Sequence, residues 1–204
     1  MGASGARKTS AERNKIRMVE ICFHGRGGQG AVVAGQMLAV AAFREGKHSQ
    51  ALSIPGPERR GAPVVSFVRI DDAPVRLKCR IYKPDHVIVL DAPLLRYINI
   101  TGNLNDGGWI VVNSNKKPEE MGFPAKFKVA TVDANSIALK HRLGTAQAPI
   151  VNTAILGAFA KVTGIVGLEA VSEAVRQEAP AKKEENVAAT RDAYELVRGA
   201  QGKE

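Results

Sequence analysis

The run Gly25-Arg26-Gly27-Gly28-Gln29-Gly30 constrains the fold more than any other stretch of the chain. It follows Val19-Glu20-Ile21-Cys22-Phe23, whose alternation predicts a strand, and precedes 31–45, a helix-compatible run stopped by Gly46. Strand, glycine loop and helix in that order open an α/β fold, because glycines let the chain turn sharply and let helix pack closely on strand. The spacing fits G-x-G-x-x-G in the context that dinucleotide-binding folds use. At the head of a helix, unpaired N–H groups and the helix dipole favour an anion, and Arg26 adds a fork of donors for a phosphate oxygen. Gly25, Arg26, Gly27, Gly28, Gln29 and Gly30 are therefore candidate binding residues. A glycine turn that serves strand–helix packing alone, with no ligand, fits the same residues.

Two absences narrow the class. A nicotinamide site wants an acid at the end of the second strand for the ribose, but that region reads Ser53-Ile54-Pro55-Gly56-Pro57. Glu45 has the right spacing and the wrong place, at the end of the helix. No Gly-Lys-Ser/Thr follows the glycines, which excludes an ATP-hydrolysing P-loop.

Downstream, 49–54 reads as a second strand, and 64–70 and 75–81 read as two arms of a hairpin around Asp71-Asp72-Ala73-Pro74. The short apolar run 86–90, ending at Asp91, has the pattern of a central parallel strand, and 109–112 and 126–132 are two more. Helices are expected from an Asp133 cap to about Arg142, from Pro149 to about Thr163, over 168–178, and over 184–198. The expected architecture is an α/β fold with a mostly parallel, partly mixed sheet, an inserted β-hairpin and a helical C-terminal part. The runs 31–43 and 154–160 are apolar almost all round; burial against partner subunits and packing on each other both account for that.

The second constellation is Pro55-Gly56-Pro57-Glu58-Arg59-Arg60-Gly61-Ala62-Pro63. Prolines rigidify this loop, and entropy already removed costs nothing further on binding, so Glu58, Arg59 and Arg60 suit recognition of phosphate, carboxylate or an acidic partner. A solvated turn with an internal ion pair is the plainer reading. Asn152-Thr153, in the first turn of a helix, serve as caps or as ligand contacts. Asp91 ends a central strand, where α/β proteins place ligand contacts and also helix caps. His24 adjoins the glycine loop; His48, His86 and His141 are scattered. Nothing assembles a nucleophile with its base.

Composition sets the remaining limits. The 204 residues suffice for one large domain, expected over 18–200 after a flexible basic tail at 1–17. The formal net charge of +9 is partly that tail, where Arg7, Lys8, Arg13, Lys15 and Arg17 face Glu12 alone. It lacks the apolar stretch of a secretory signal, and the rest of the excess is too scattered to imply nucleic acid. No segment reads as a membrane span. Cys22 and Cys79 are the only cysteines and lie far apart, which excludes a zinc ribbon, a disulfide framework or an iron–sulfur cluster ligated by this chain alone. Such thiol scarcity suits the cytoplasm.

Taken in order, the glycine loop, Pro57-Glu58-Arg59-Arg60-Gly61-Ala62-Pro63-Val64, Val68-Arg69-Ile70, the stretch 84–91 and Asn152-Thr153-Ala154-Ile155-Leu156-Gly157-Ala158 resemble the gamma subunit of pyruvate:ferredoxin oxidoreductase and its 2-oxoacid oxidoreductase relatives. The resemblance runs over roughly 18–198 and implies a Rossmann-like domain that is one subunit of a larger enzyme. Such an enzyme oxidatively decarboxylates a 2-oxoacid with coenzyme A, giving acyl-CoA and carbon dioxide. It implies partners that hold the cofactors: thiamine-binding alpha- and beta-type subunits with thiamine diphosphate and magnesium, and a ferredoxin-like subunit with 4Fe-4S clusters. It assigns the glycine-loop role to Gly25, Gly27, Gly28, Gln29 and Gly30. To Glu58, Arg59 and Arg60 it assigns a charged loop facing the partner or the CoA path, and to Asn152 the family's helix-start asparagine. Arg26 is a physical addition. Ile54-Pro55 stands where an aromatic residue is common, which allows an aryl 2-oxoacid such as phenylglyoxylate besides pyruvate. Because the chain lacks cluster ligands, no redox activity and no cofactor colour are expected of it in isolation. A free-standing dinucleotide-binding oxidoreductase and a purely structural scaffold subunit are the alternatives.

Overall fold

The computed structural model describes residues 18–53 and 61–199. Its centre is a six-stranded sheet built from β1 (Val19–Arg26), β2 (His48–Ser53), β3 (Pro63–Asp71), β4 (His86–Val89), β5 (Trp109–Asn113) and β6 (Lys128–Val132), in the order β2-β3-β1-β4-β5-β6. β1 pairs parallel with β4, β4 with β5 and β5 with β6, while β3 runs antiparallel to both β1 and β2. The mostly parallel, partly mixed sheet is therefore present, with β3 as the reversed strand.

The strands alternate between two cores, as a pleated strand must when both of its faces are covered. Ile21 and Phe23 of β1, Val68 and Ile70 of β3, Ile88 of β4 and Val111 of β5 join one core, and Cys22, Phe67, Val87, Val89, Ile110 and Val112 join the other. The first face carries the helices α1 (Ala31–Arg44), α2 (Ala134–Lys140), α3 (Asn152–Thr163), α4 (Leu168–Glu178) and α5 (Lys183–Leu196). The second is closed by irregular chain, including two short 3₁₀ helices at Ala92–Arg96 and Pro118–Met121.

Three expectations are corrected. The segment 75–81 forms no strand, although its apolar residues alternate with cations. Its carbonyls are taken by a side chain instead: the buried Arg69 donates to the backbone oxygens of Leu77, Cys79 and Arg80. The antiparallel partners of β3 are β1 and β2 instead. Pro149 does not start a helix, because it lies in β8 (Ala148–Pro149), paired with β7 (Gly144–Thr145), and α3 begins at Asn152.

The apolar helices divide. Every residue of α3 from Asn152 to Ala160 is buried inside this chain, between the sheet and α5, so it needs no partner subunit to hide it. Gly157 makes that possible: a Cβ there would lie 1.9 Å from the backbone oxygen of Thr190 on α5. α1 is buried on its sheet side and leaves Phe43 71% exposed. Asp133 caps α2 as expected, accepting from the Ser136 N–H. The bridge between Thr131 and Arg198 covers the β6 edge.

Candidate functional site

In an open α/β sheet the crevice for a ligand lies at the carboxyl ends of the strands, where the order of connection reverses. Here that point falls between β1 and β4. From β1 the chain turns to β2 and β3 on one side, and from β4 it proceeds to β5 and β6 on the other. The glycine loop sits there. Gly25 and Arg26 end β1, and Arg26 N–H donates to Gln29 Oε1 at 2.7 Å while Gln29 N–H returns to the Arg26 carbonyl at 3.0 Å. Gly28 has φ of 95°. Gly30 follows as the N-terminal cap of α1 with φ of 78°, a left-handed conformation that favours glycine.

Arg26 is committed inside the protein. Its Nε lies 2.5 Å from Asp91 Oδ2, and a terminal nitrogen donates to the Gly61 carbonyl at 3.1 Å. Asp91 thus neither caps the 3₁₀ helix that follows it nor stands free, and it ties the end of β4 to the glycine loop. The loop is also clasped by backbone: Gly27 N–H donates to the Ala62 carbonyl at 2.8 Å, and Gly61 N–H to the Gly27 carbonyl at 3.1 Å. Glu58, Arg59 and Arg60 lie outside the described residues, and the clasp begins at the next residue, Gly61.

Asn152 arrives from the other side. It is the first residue of α3, is 6% exposed, and lies so close that a Cβ on Gly30 would sit 2.6 Å from its Nδ2. Its Oδ1 is buried with no hydrogen-bond partner among the described residues. Neither it nor Thr153 caps the helix: Thr153 donates to Asn186 Oδ1 at 2.9 Å. The starts of α1 and α3 thus meet around one amide. Neither has a side-chain cap and neither carries an acid in its first turn. Unsatisfied N–H groups and two positive dipole ends suit an anionic ligand, and an unpaired buried amide suits a polar one.

A second titratable pair stands on β1 just before the loop. Cys22 Sγ is 3.3 Å from His24 Nε2 on β1. Burial pushes the thiol up to about 12 and the imidazole down to about 4, so both are neutral at pH 7 and form no thiolate nucleophile. Glu45 accepts from the Gly167 N–H and pairs with Lys47, away from the glycine loop. Among the described residues no three His, Cys, Asp or Glu side chains group to hold a metal, and no helix is long and apolar enough to cross a membrane.

Residues 20–196 match the family described as pyruvate ferredoxin/flavodoxin oxidoreductase. The chain belongs to that family. The common gamma subunit of the pyruvate/ketoisovalerate oxidoreductases of Thermococcus kodakarensis is 52% identical over 181 residues, 87% of this chain and 96% of that one. The PorC subunit of pyruvate synthase from Methanothermobacter thermautotrophicus is 49% identical over 181 residues, 88% of this chain and 96% of that one. The crystal structure of the pyruvate oxidoreductase PORC subunit of Thermotoga maritima superposes with a TM-score of 0.75 at 38% identity, over 91% of this chain and 98% of that one. The gamma-subunit resemblance drawn from the ordered motifs therefore holds, and the glycine loop, Asp91 and Asn152 all lie within the matched residues.

Within this family domain one positioning residue has no counterpart in the motif reading. Asn113, at the end of β5, donates to the Leu90 carbonyl at 2.9 Å and accepts from the Ala134 N–H at 3.0 Å. It fixes the end of β4, and with it Asp91, against the start of α2. The signal for it is a polar residue closing the apolar run Ile110-Val111-Val112, at the sheet edge where ligands bind.

Proposed function

We propose that this chain is the gamma subunit of a cytoplasmic, CoA-dependent 2-oxoacid:acceptor oxidoreductase acting on pyruvate or a close 2-oxoacid, in which it holds coenzyme A at the glycine loop. Companion chains carry the thiamine diphosphate, magnesium and 4Fe-4S clusters. The family and the pyruvate-linked names of the relatives support the subunit assignment. The observation that carries the CoA role is Asn152: a buried amide with an unpaired oxygen, set against Gly30 where two uncapped helix starts converge.

Those residues fit CoA, whose phosphates suit the helix starts and whose amide-bearing arm suits an Asn side chain. When bound, CoA supplies the thiol that accepts the acyl group. The chain's own residues bind and orient it: Gly30 gives close backbone approach, Asn152 offers donor and acceptor, and Asp91 and Arg26 hold the loop in place. Arg59 and Arg60, which immediately precede Gly61 in the sequence, add charge for the phosphates. A free-standing dinucleotide enzyme is disfavoured because Glu45, the one acid at ribose spacing, is engaged with Gly167 and Lys47. The aryl 2-oxoacid reading rests on Ile54-Pro55, outside the described residues, and a panel of pyruvate, branched and aryl 2-oxoacids decides it.

In the assembled complex, Arg59→Ala and Arg60→Ala are expected to raise the apparent KM for CoA at least ~10-fold with kcat nearly unchanged, the mark of binding lost equally from ground state and transition state. Steady-state kinetics across CoA concentration check this. An unchanged KM with an intact complex supports the scaffold reading, and loss of the subunit from the complex makes the pair interfacial.

A further inference from the structure

The segment after β3 carries a feature that the CoA role does not use. Val75-Arg76-Leu77-Lys78-Cys79-Arg80-Ile81-Tyr82-Lys83 crosses the second face of the sheet without secondary structure, yet it is tied down at several points. Ile81 is 6% exposed and inserts into the second core. Arg69, 2% exposed and paired with Glu20 at 2.7 Å, donates to the Cys79 carbonyl at 2.7 Å and reaches those of Leu77 and Arg80. The clamp grips mainly backbone oxygens, with one contact to Cys79 Sγ at 3.8 Å, so the basic side chains of the segment are left to project.

They project as a basic strip. Arg76, Lys78, Arg80 and Lys83 are all exposed, and none of them forms an ion pair among the described residues. Leu77 is 47% and Tyr82 63% exposed between them, and the Arg80 guanidinium stacks 4.2 Å from the Tyr82 ring centroid. A cation held over an aromatic ring on a pinned backbone has little freedom left to lose on binding. Arginine and tyrosine are the residue types that anchor protein interfaces, and interleaved apolar side chains fit a protein face better than a phosphate backbone.

We infer that the strip Arg76–Lys83 is the docking surface for an acidic face of a companion chain in the same oxidoreductase complex. The inference rests on the subunit assignment above and names the partner's chemistry. Position supports it: Arg69 pairs with Glu20 at the amino end of β1, whereas the glycine loop is at its carboxyl end. A partner seated on the strip leaves the CoA site open.

The test uses the full-length tagged chain, co-expressed with the chains that co-purify with it from the native source. The Arg76→Glu/Lys78→Glu/Arg80→Glu variant is expected to bind those chains at least ~100-fold more weakly at low salt, since like charges then face each other. Arg76→Lys, at a position with no ring stack, is expected to retain most of the affinity, and wild-type binding to weaken as ionic strength rises. The melting temperature of the triple variant alone should match wild type, because the altered side chains are exposed. Cys79, the exposed thiol within the strip, should be alkylated at least ~10-fold more slowly in the complex than in the free chain. Wild-type affinity and salt response in the triple variant, an unprotected Cys79, or loss of oligonucleotide binding without loss of companion binding would each overturn the docking inference alone. If the wild-type chain captures no 2-oxoacid oxidoreductase chains at all, the subunit assignment fails and this inference with it.

Discussion

Gly157→Ala is expected to destabilise the chain by about 2–3 kcal/mol, although a glycine-to-alanine change inside a helix ordinarily stabilises it by roughly 0.5–1 kcal/mol. The sign reverses because the new methyl would stand 1.9 Å from the Thr190 carbonyl oxygen and 3.2 Å from the Tyr194 nitrogen. Those are backbone atoms of α5, so no side-chain rotation relieves the overlap. α3 and α5 must move apart, and α3 cannot yield toward the sheet, where Ile155, Leu156 and Phe159 are fully buried. For a chain of this size the loss corresponds to a fall in Tm of about 5–10 °C, read by differential scanning calorimetry or urea titration. A melting temperature equal to or above that of wild type would show that the helices do not approach so closely.

Removing the Arg69 guanidinium is expected to cost about 3 kcal/mol. Arg69→Met keeps most of the aliphatic stem but leaves Glu20 without its cross-strand cation and the carbonyls of Leu77, Cys79 and Arg80 without their donor. Glu20 is partly exposed, with 23% of its side chain accessible, so water recovers part of its loss and the estimate stays at the low end for a broken buried pair. The loss should have a location as well as a size. With the clamp gone, limited proteolysis should cut first within 72–83 while the glycine loop survives. Urea unfolding and the mass of the first fragments test both halves.

Much of the first face was legible because its signals are local. The alternation in 19–23, the glycine loop and the apolar run after it specify strand, turn and helix within thirty residues. The expected helix 168–178 has the observed bounds of α4. The misread segments share one cause: the decisive contact leaves no mark on the segment's own pattern of residues. Val75 to Ile81 alternates as a strand does, but a strand needs a ladder, and a buried arginine on β3 takes those carbonyls instead. The two apolar helices could not be told from partner-facing ones, because periodicity does not reveal that Gly157 admits the α5 backbone.

The site divides in the same way. Gly25 to Gly30, Asp91 and Asn152 were each visible as residues of the right type at the head of a helix or the end of a strand. Their assembly was not. Arg26 read as a phosphate donor and is found engaged with Asp91 and Gly61, and Asn152 read more readily as a cap than as a ligand contact, yet it caps nothing. What joins them is the strand order, which places the ends of β1 and β4 side by side.

Purification of the tagged full-length chain from its native source, followed by a CoA-dependent 2-oxoacid assay with a viologen dye, tests the account most directly. The account predicts that companion chains with thiamine diphosphate and iron–sulfur clusters come with it, that the complex reduces the dye only with a 2-oxoacid and CoA present, and that the isolated chain reduces none. A chain that purifies alone and either reduces the dye with a 2-oxoacid or binds a nicotinamide dinucleotide tightly would contradict it.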